Sequence, residues 1–135
     1  MTGKPTMTLG EVMTSSPLTI AMSATLTEAR TLMEALEVRH LPVMDGTLVE
    51  SVISLRDIER FTLPAHRTSQ DEELLVSDVA PTRAFAADIN DPIERVVGIM
   101  ADRQMSAVIV LDQGELAGIF TATDVCRVLV DLLRG

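Results

Sequence analysis

The sequence predicts an α+β fold made of two similar halves. An internal repeat places Asp57 and Asp124, and likewise Ser54 and Thr121, 67 positions apart, and similar units in one short chain usually pack together. In each half, the predicted elements follow the order strand, helix, strand, strand, helix. A chain of 135 residues is long enough for one ordinary core but too short for two independent ones. We therefore expect the two halves to share a core.

The first half begins with a short helical entry over residues 8–13. Pro17 lies beyond it, and because proline disfavours helical geometry in the residue before it, the helix must end earlier. Residues 18–21 include β-branched side chains that favour a short strand. The Thr-x-x-Glu capping pattern at 25–28 then begins a helix, and apolar spacing extends this helix to about Glu37.

A β-hairpin follows the first helix. Apolar residues 41–44 and 48–53 predict its strands, and Asp45-Gly46 is typical of a tight turn with positive φ. Ser54 is placed to cap the next helix. The polar, broken stretch at 62–73 predicts a linker between the halves.

The second half repeats this order. Pro92 is expected at the first helical position of its first long helix, because its missing N–H needs no partner there. Thr121 is expected to cap the last helix. The predicted elements are an entry turn at 74–79, a weak strand at 85–87, a helix from Asp91, a hairpin over 107–120 and a last helix from Asp124 to Leu133.

Composition excludes several classes of partner. The formal net charge of −9 and the presence of only one lysine argue against nucleic acids and anionic membranes, whose binding depends on clustered cations. No apolar run reaches the roughly 18 residues that a membrane span needs. The single cysteine, Cys126, rules out an intramolecular disulfide and fits a reducing compartment. We expect a cytoplasmic protein.

Catalytic and cofactor signatures are missing from the sequence. It contains no Gly-x-Gly-x-x-Gly, no phosphate-binding Gly-x-x-x-x-Gly-Lys and no Gly-x-Ser-x-Gly motif. His40, His66 and Cys126 are too scattered to suggest metal-ligand spacing. We therefore predict no catalytic residues, no metal site and no enzyme activity.

The recurrent polar motif is Ser54-x-x-Asp57 and its counterpart Thr121-x-x-Asp124. Each follows an apolar strand directly. Taken alone, each is typical of a capping box, in which the hydroxyl accepts from an unpaired amide and the acid favours the positive end of the helix dipole.

The residues around these motifs resemble the CBS domain, the small module named after cystathionine β-synthase. The resemblance covers residues 8–134 and predicts a tandem pair, or Bateman module, with one repeat at 8–61, a linker at 62–73 and a second repeat at 74–134. The matching stretches are Val12-Met13-Thr14, Pro17-Leu18-Thr19-Ile20, Leu26-x-Glu28-Ala29, Arg39-His40-Leu41-Pro42-Val43, Ile53-Ser54-Leu55-Arg56-Asp57-Ile58 and Leu116-x-Gly118-Ile119-Phe120-Thr121-x-x-Asp124.

The resemblance implies two clefts related by pseudo-twofold symmetry, which in many members bind AMP, ADP, ATP or another adenosyl compound. Asp57 and Asp124 would bind the ribose hydroxyls, Ser54 and Thr121 would lie near ribose or phosphate, and the first strand of the opposite half would line the base. A carboxylate at a helix start suits this role, since it can accept both hydroxyls of a cis-diol. The implied nucleotide-binding residues are Thr19, Ile20, His40, Leu41, Pro42, Ser54, Arg56, Asp57, Ile119, Thr121 and Asp124.

The two halves do not match the family pattern equally well. Glu50-Ser51 stands where the second half has Ala117-Gly118, so a side chain is expected to crowd one cleft. By the family's crossed arrangement, Asp124 would pair with the well-matched strand at 18–20. This comparison favours the Asp124 cleft.

The leading hypothesis is a non-enzymatic adenosine-ligand sensor that needs no cofactor. We expect it to form a homodimer and to regulate a protein partner. The first alternative is a ligand-free protein–protein interaction module. The second is a variant that binds S-adenosylmethionine or a metal.

Overall fold

The computed structural model describes residues 7–62, 73–81 and 84–135. Within these ranges, none of the helices has the length and apolar character that a membrane span requires. The described residues fall into two compact units. The elements in chain order are α1 (Leu9–Val12), β1 (Thr14–Ser15), β2 (Ile20–Ala21), α2 (Leu26–Leu36), β3 (His40–Asp45), β4 (Leu48–Ser54), α3 (Leu55–Thr62), α4 (Val76–Val79), β5 (Ala86–Asp88), α5 (Ile93–Arg103), β6 (Ala107–Asp112), β7 (Glu115–Thr121) and α6 (Ala122–Arg134).

One unit combines the described part of Met1–Pro17 with Phe85–Gly135. Its sheet has the order β1-β7-β6-β5. The β6–β7 pair is an antiparallel hairpin, β5 runs parallel to β6, and β1 runs antiparallel to β7. The core of this unit is aliphatic with one large aromatic side chain, and its fully buried members include Leu9, Val96, Val108, Val110 and Phe120.

The other unit spans Leu18–Ala84. Its sheet has the order β2-β3-β4, with β2 parallel to β3 and with β3 and β4 forming an antiparallel hairpin. Helices α2 and α3 supply apolar side chains to its core. The fully buried members of that core include Met33, Leu41, Ile53, Ile58 and Val76.

The two halves of the sequence exchange their entry helices. Helix α1, from the first half, lies in the unit of the second, where the Leu9 amide donates to the Asp91 carbonyl at 3.0 Å. Helix α4, from the second half, lies in the unit of the first, where the Val76 amide donates to the Ala24 carbonyl at 2.8 Å. The compact units therefore differ from the sequence repeats drawn at 8–61 and 74–134.

This exchange corrects the expectation of one shared core. The structure has two apolar clusters, and an entry helix from the other half completes each of them. Each cluster therefore contains apolar side chains from both halves of the sequence.

The α+β class and the order of the long elements are confirmed. Helix α2 ends as expected, with Glu37 in the left-handed conformation, and the Thr25 hydroxyl accepts from the Glu28 amide at 3.1 Å. The hairpin turn is also confirmed, with Gly46 at φ +61°. Residues 63–72 of the predicted linker lie outside the described part of the chain.

Two local predictions need correction, and one short strand was not predicted. The strand expected at 18–21 is shortened to Ile20–Ala21. Strand β1 was not predicted, because its two residues have no apolar pattern and pair only with the distant β7. Pro92 is the N-cap of α5 rather than its first helical residue. The entry segment holds Pro92 extended, since Thr8 pairs with it and the next amide, of Ile93, donates to the Met7 carbonyl at 2.9 Å.

Candidate functional site

Asp124 is a buried carboxylate at the start of α6. The residue is 4% exposed. The amide of Thr121 donates to Oδ2 at 2.9 Å and the Thr121 hydroxyl lies 3.2 Å from the same oxygen, while the Asp124 amide lies 3.5 Å from that hydroxyl. Thr121 is the N-cap of α6, so the two residues close a reciprocal capping box. The capping prediction for Thr121 is confirmed.

Two further groups reach the Asp124 carboxylate. The hydroxyl of Thr14 donates to Oδ1 at 3.2 Å, and the Arg127 guanidinium lies 3.4 Å from the same oxygen. Strand β1 places Thr14 there, because Thr14 lies opposite Ile119 in the β1–β7 ladder. The carboxylate is therefore fully hydrogen bonded within its own unit.

Close approach of the entry strand to β7 depends on Gly118. A Cβ built on Gly118 would lie 2.7 Å from the Thr14 carbonyl oxygen and would also meet the Met13 sulfur. Any other residue would push β1 away from β7, and Thr14 would move away from Asp124 with it.

Asp57 repeats the capping arrangement in the other unit with fewer partners. The Ser54 amide donates to its Oδ2 at 2.9 Å, and the Asp57 amide donates to the Ser54 hydroxyl at 3.0 Å. In the sequence repeat, Pro81 is the counterpart of Thr14. Proline has no hydroxyl to donate. Asp57 is half-buried, and the Ser54 amide engages its Oδ2.

Ser51, the counterpart of Gly118, is directed into its own unit. Its side chain is 3% exposed, and its hydroxyl donates to the Pro81 carbonyl at 2.5 Å. The extra side chain that was expected to crowd a ligand cleft thus serves to tie β4 to the segment after α4.

The remaining implied residues of the Leu18–Ala84 unit follow its sheet. His40 lies opposite Ser54 in the β3–β4 ladder, Leu41 and Pro42 continue β3, and Ile20 pairs with Val43. Leu41 and Pro42 are buried, whereas Thr19 and Arg56 are exposed. His40, Ser54 and Asp57 are thereby brought to one end of the hairpin.

The position of His40 lowers its pKa below the ordinary value of 6.5. Burial is the main cause, because it penalises the charged imidazolium. The negative charge of Asp57 raises the pKa in opposition, and the positive charge of Arg39 lowers it further. His40 is therefore expected to be neutral in the folded protein at pH 7.

This shift predicts a pH dependence of stability. The unfolded chain protonates His40 more readily than the folded one, so the free energy of unfolding is highest above about pH 6.5 and falls as the pH drops below the unfolded pKa. Urea unfolding measured from pH 7.5 to 5.5 tests this. The variant His40→Gln should flatten the dependence, whereas His66→Gln, at the other histidine of the sequence, should leave it; an equally steep profile in His40→Gln would contradict the assignment.

The structure groups the implied site residues by unit. Ile119, Thr121 and Asp124 lie together in one unit, and the other eight lie in the Leu18–Ala84 unit. The expected contact between Asp124 and the strand at 18–20 would join the two units and stays a prediction. Thr14 was missed, because nothing local in the sequence signals that its hydroxyl meets a carboxylate 110 positions away.

A metal centre does not emerge from the described residues. In the described ranges, no group of three or more His, Cys, Asp or Glu side chains is arranged to hold a metal ion. Cys126 is exposed on α6.

The chain is similar to two curated relatives. It is 28% identical over 123 residues to an A-adding tRNA nucleotidyltransferase of Geobacter sulfurreducens, covering 91% of this chain but 13% of that protein. It is 28% identical over 114 residues to the CBS domain-containing protein YhcV of Bacillus subtilis, covering 84% of this chain and 79% of that protein. The similarity to the nucleotidyltransferase thus concerns a small part of that enzyme.

Two solved structures share the fold. The CBS domain pair of protein MJ0100, in complex with 5′-methylthioadenosine and S-adenosyl-L-methionine, superimposes with a TM-score of 0.82 at 20% identity, covering 94% of this chain and 98% of that one. CBSX2 in complex with AMP superimposes with a TM-score of 0.76 at 21% identity, covering 93% and 97%. At these identities the likeness concerns the fold.

A family model assigns both halves of the chain. The model described as the CBS domain matches residues 9–63 and again residues 76–131. These two matches cover the repeat found in the sequence and the elements found in both units. The chain belongs to the CBS-domain family as a tandem pair of CBS domains.

Proposed function

We propose that the protein is a regulatory module that senses an adenosine-containing ligand and has no catalytic activity of its own. The observation that carries the proposal is the buried Asp124 carboxylate at a helix start, with the Thr121 and Thr14 hydroxyls on it. Family membership supports it, as do the adenosine compounds bound by two proteins of the same fold.

The chemistry of the α6 start suits a nucleoside. A carboxylate accepts both hydroxyls of a ribose diol through charge-assisted hydrogen bonds. The first amides of a 13-residue helix carry partial positive charge and favour a nearby phosphate. The ribose would replace the Thr14 hydroxyl and the Arg127 guanidinium, and Arg127 is the easier to displace because its side chain is 72% exposed.

Asp57 offers the same chemistry with a more accessible acceptor. Asp57 is less buried than Asp124, and His40, at the start of β3, lies near both Asp57 and Arg39. Arg56 is exposed on the neighbouring helix α3. The two arginines would offset the acidic background of the chain beside a phosphate. We nonetheless keep Asp124 as the principal site, because the family's crossed arrangement would pair it with the well-matched strand at 18–20, whereas Asp57 would pair with the poorly matched strand at 85–87.

The proposal also includes a homodimer in the cytoplasm and a regulated protein partner. Helix α6 leaves several large apolar side chains exposed, and a twofold contact is the commonest way in which such a surface is covered.

Isothermal titration calorimetry of the purified protein with AMP, ADP, ATP, 5′-methylthioadenosine and S-adenosylmethionine tests the ligand. We expect saturable binding of at least one of them; guanosine monophosphate, which keeps the ribose and phosphate of AMP, tests whether the base contributes. Heat from none of the five would contradict the proposed function.

A second function is favoured by one observation. The Asp124 carboxylate already has all of its acceptor positions engaged inside its own unit, which is what a purely structural capping residue would show. A chain that binds none of the five ligands would therefore act as a protein–protein interaction module.

A further inference from the structure

Arg127 follows Asp124 on α6 and covers its carboxylate. Its Nη1 donates to Oδ1 at 3.4 Å, as residues three apart on a helix are neighbours. The two side chains differ in exposure, since 72% of the Arg127 side chain is exposed and only 5% of the Asp124 side chain. The guanidinium therefore stays largely in water while it occupies an oxygen of the buried carboxylate.

This contact is the easiest of the carboxylate's contacts to exchange. An ion pair whose cation is exposed is screened by solvent and contributes little to stability. The other donors are the Thr121 amide, the Thr121 hydroxyl and the Thr14 hydroxyl, and the helix cap and the β1–β7 ladder hold these in place. When a ribose diol binds Asp124, Arg127 is therefore the first group to leave.

A phosphorylated ligand at Asp124 meets an unfavourable charge. The chain has a formal net charge of −9, and the carboxylate that accepts the diol is itself negative. The 5′-phosphate is attached to the same ribose, so it lies near this carboxylate and is repelled by it. The start of α6 supplies only about half a positive charge, against about −1.5 to −2 on a phosphate at pH 7. The phosphate therefore needs a full cation beside it.

Arg127 is placed to supply this cation. Once displaced from Oδ1, its guanidinium remains attached to α6 just beyond the bound ribose, and its planar donors suit phosphate oxygens. The sequence repeat has an arginine in the same place, since Arg60 follows Asp57 as Arg127 follows Asp124. The arginine thus recurs with the acid at both helix starts.

We propose that Arg127 determines the ligand class of the Asp124 site by leaving the carboxylate when the ribose binds and pairing with the 5′-phosphate. The site then takes nucleoside 5′-phosphates in preference to neutral or cationic adenosyl compounds. A phosphate gives the displaced guanidinium a new partner, whereas adenosine or 5′-methylthioadenosine gives it none, and the sulfonium of S-adenosylmethionine would repel it. This inference rests on the proposed function and names its ligand class.

A thermodynamic cycle with two ligands and two proteins tests the exchange. Dissociation constants of AMP and adenosine are measured by calorimetry at pH 7.5 for the wild type and for Arg127→Met, with adenosine measured by competition against AMP where its own heat is small. Methionine keeps an unbranched apolar side chain and removes the charge and the donors. Effects common to both ligands cancel in the cycle, so it isolates the interaction between the guanidinium and the phosphate.

The two ligands should respond in opposite directions. Arg127→Met should weaken AMP binding about fivefold or more, because the phosphate loses a charged hydrogen-bond partner. It should strengthen adenosine binding about twofold, because no ion pair then competes with the ribose for Oδ1. The preference for AMP over adenosine should therefore fall about tenfold or more. Arg127→Lys, which keeps the charge, should retain most of this preference.

Arg134→Met is the matched control. It removes the same charge from the exposed side of the same helix, about 10 Å further along at ~1.5 Å per residue. At this distance in physiological salt its charge is largely screened, so the preference for AMP should stay within about twofold of the wild-type value.

The outcomes separate this inference from the proposed function. If wild-type AMP binding is confirmed, an unchanged preference in Arg127→Met would make the arginine a helix-stabilising ion pair only, and an adenosine affinity that does not rise would show that it does not compete with the ribose; either result overturns the exchange. An equal fall in Arg134→Met, or tighter binding of 5′-methylthioadenosine or S-adenosylmethionine than of AMP to the wild type, would overturn it as well. All of these results leave the sensing of an adenosine ligand intact. A wild-type protein that binds none of the adenosine compounds would instead refute the proposed function, and this inference with it.

Discussion

Asp124→Asn is expected to lose most of the thermal stabilisation that an adenine nucleotide gives to the wild-type protein. A ligand that binds only the folded state adds about 2.7 kcal/mol when present at ~100 times its dissociation constant. For a chain of 135 residues, this raises the melting temperature by roughly 5 to 10 °C. The neutral amide cannot offer a ribose diol two acceptor oxygens, so the shift should fall to a small fraction of that value.

Asparagine is the right replacement because of what surrounds Asp124. The carboxylate is buried and accepts from the Thr121 amide and the Thr14 hydroxyl. Alanine would leave both donors without their acceptor, at a cost of about 1–3 kcal/mol if they stay buried. Asparagine keeps one acceptor oxygen and the shape of the side chain.

Two control variants make the measurement specific. Asp131→Asn removes the same charge from the exposed side of the same helix and should keep the full ligand shift. Asp57→Asn makes the equivalent change in the other unit and should cost less of the shift than Asp124→Asn. A full shift in Asp124→Asn, measured by scanning calorimetry at saturating nucleotide, would count against the Asp124 site; a shift lost only in Asp57→Asn would place the principal site there.

Most of the elements that were predicted correctly depend on interactions between residues close in sequence. The capping pairs Ser54–Asp57 and Thr121–Asp124 lie three residues apart, so that a helix start fixes their geometry directly. The Asp45-Gly46 turn likewise depends on adjacent residues. Because these interactions are local, the residues alone were enough to place the hairpins, the long helices and the two carboxylates at their ends.

The features that escaped prediction depend on distant partners. Strand β1 exists because Thr14 and Ser15 pair with Ile119 and Gly118, and no local pattern encodes a ladder across the whole chain. The exchange of α1 and α4 also depends on distant partners, since each helix packs against core residues that come from the other half of the sequence. The two separate cores follow from that exchange. A repeat in a sequence thus shows what is duplicated without showing which copies of its segments pack together.

Gly118→Ala is expected to destabilise the protein by about 1–3 kcal/mol, the usual cost of forcing extra volume into a filled space. The new Cβ would lie 2.7 Å from the Thr14 carbonyl oxygen. That atom belongs to the backbone of β1 and cannot rotate away, so the entry strand itself must move. The hydrogen bond from Thr14 to Asp124 should weaken with it, because the register of β1 on β7 is what holds the hydroxyl in place.

Gly98→Ala provides a control with the opposite sign. Gly98 lies within α5 of the same unit, and a Cβ there meets no atom within 4 Å. Alanine at this position should stabilise the protein by about 0.5–1 kcal/mol, since glycine in a helix costs more backbone entropy on folding. Urea unfolding of both variants against the wild type decides the matter. If Gly118→Ala were as stable as Gly98→Ala, then β1 would not be held tightly against β7. Close pairing of these strands would then not be what positions the Thr14 hydroxyl on Asp124.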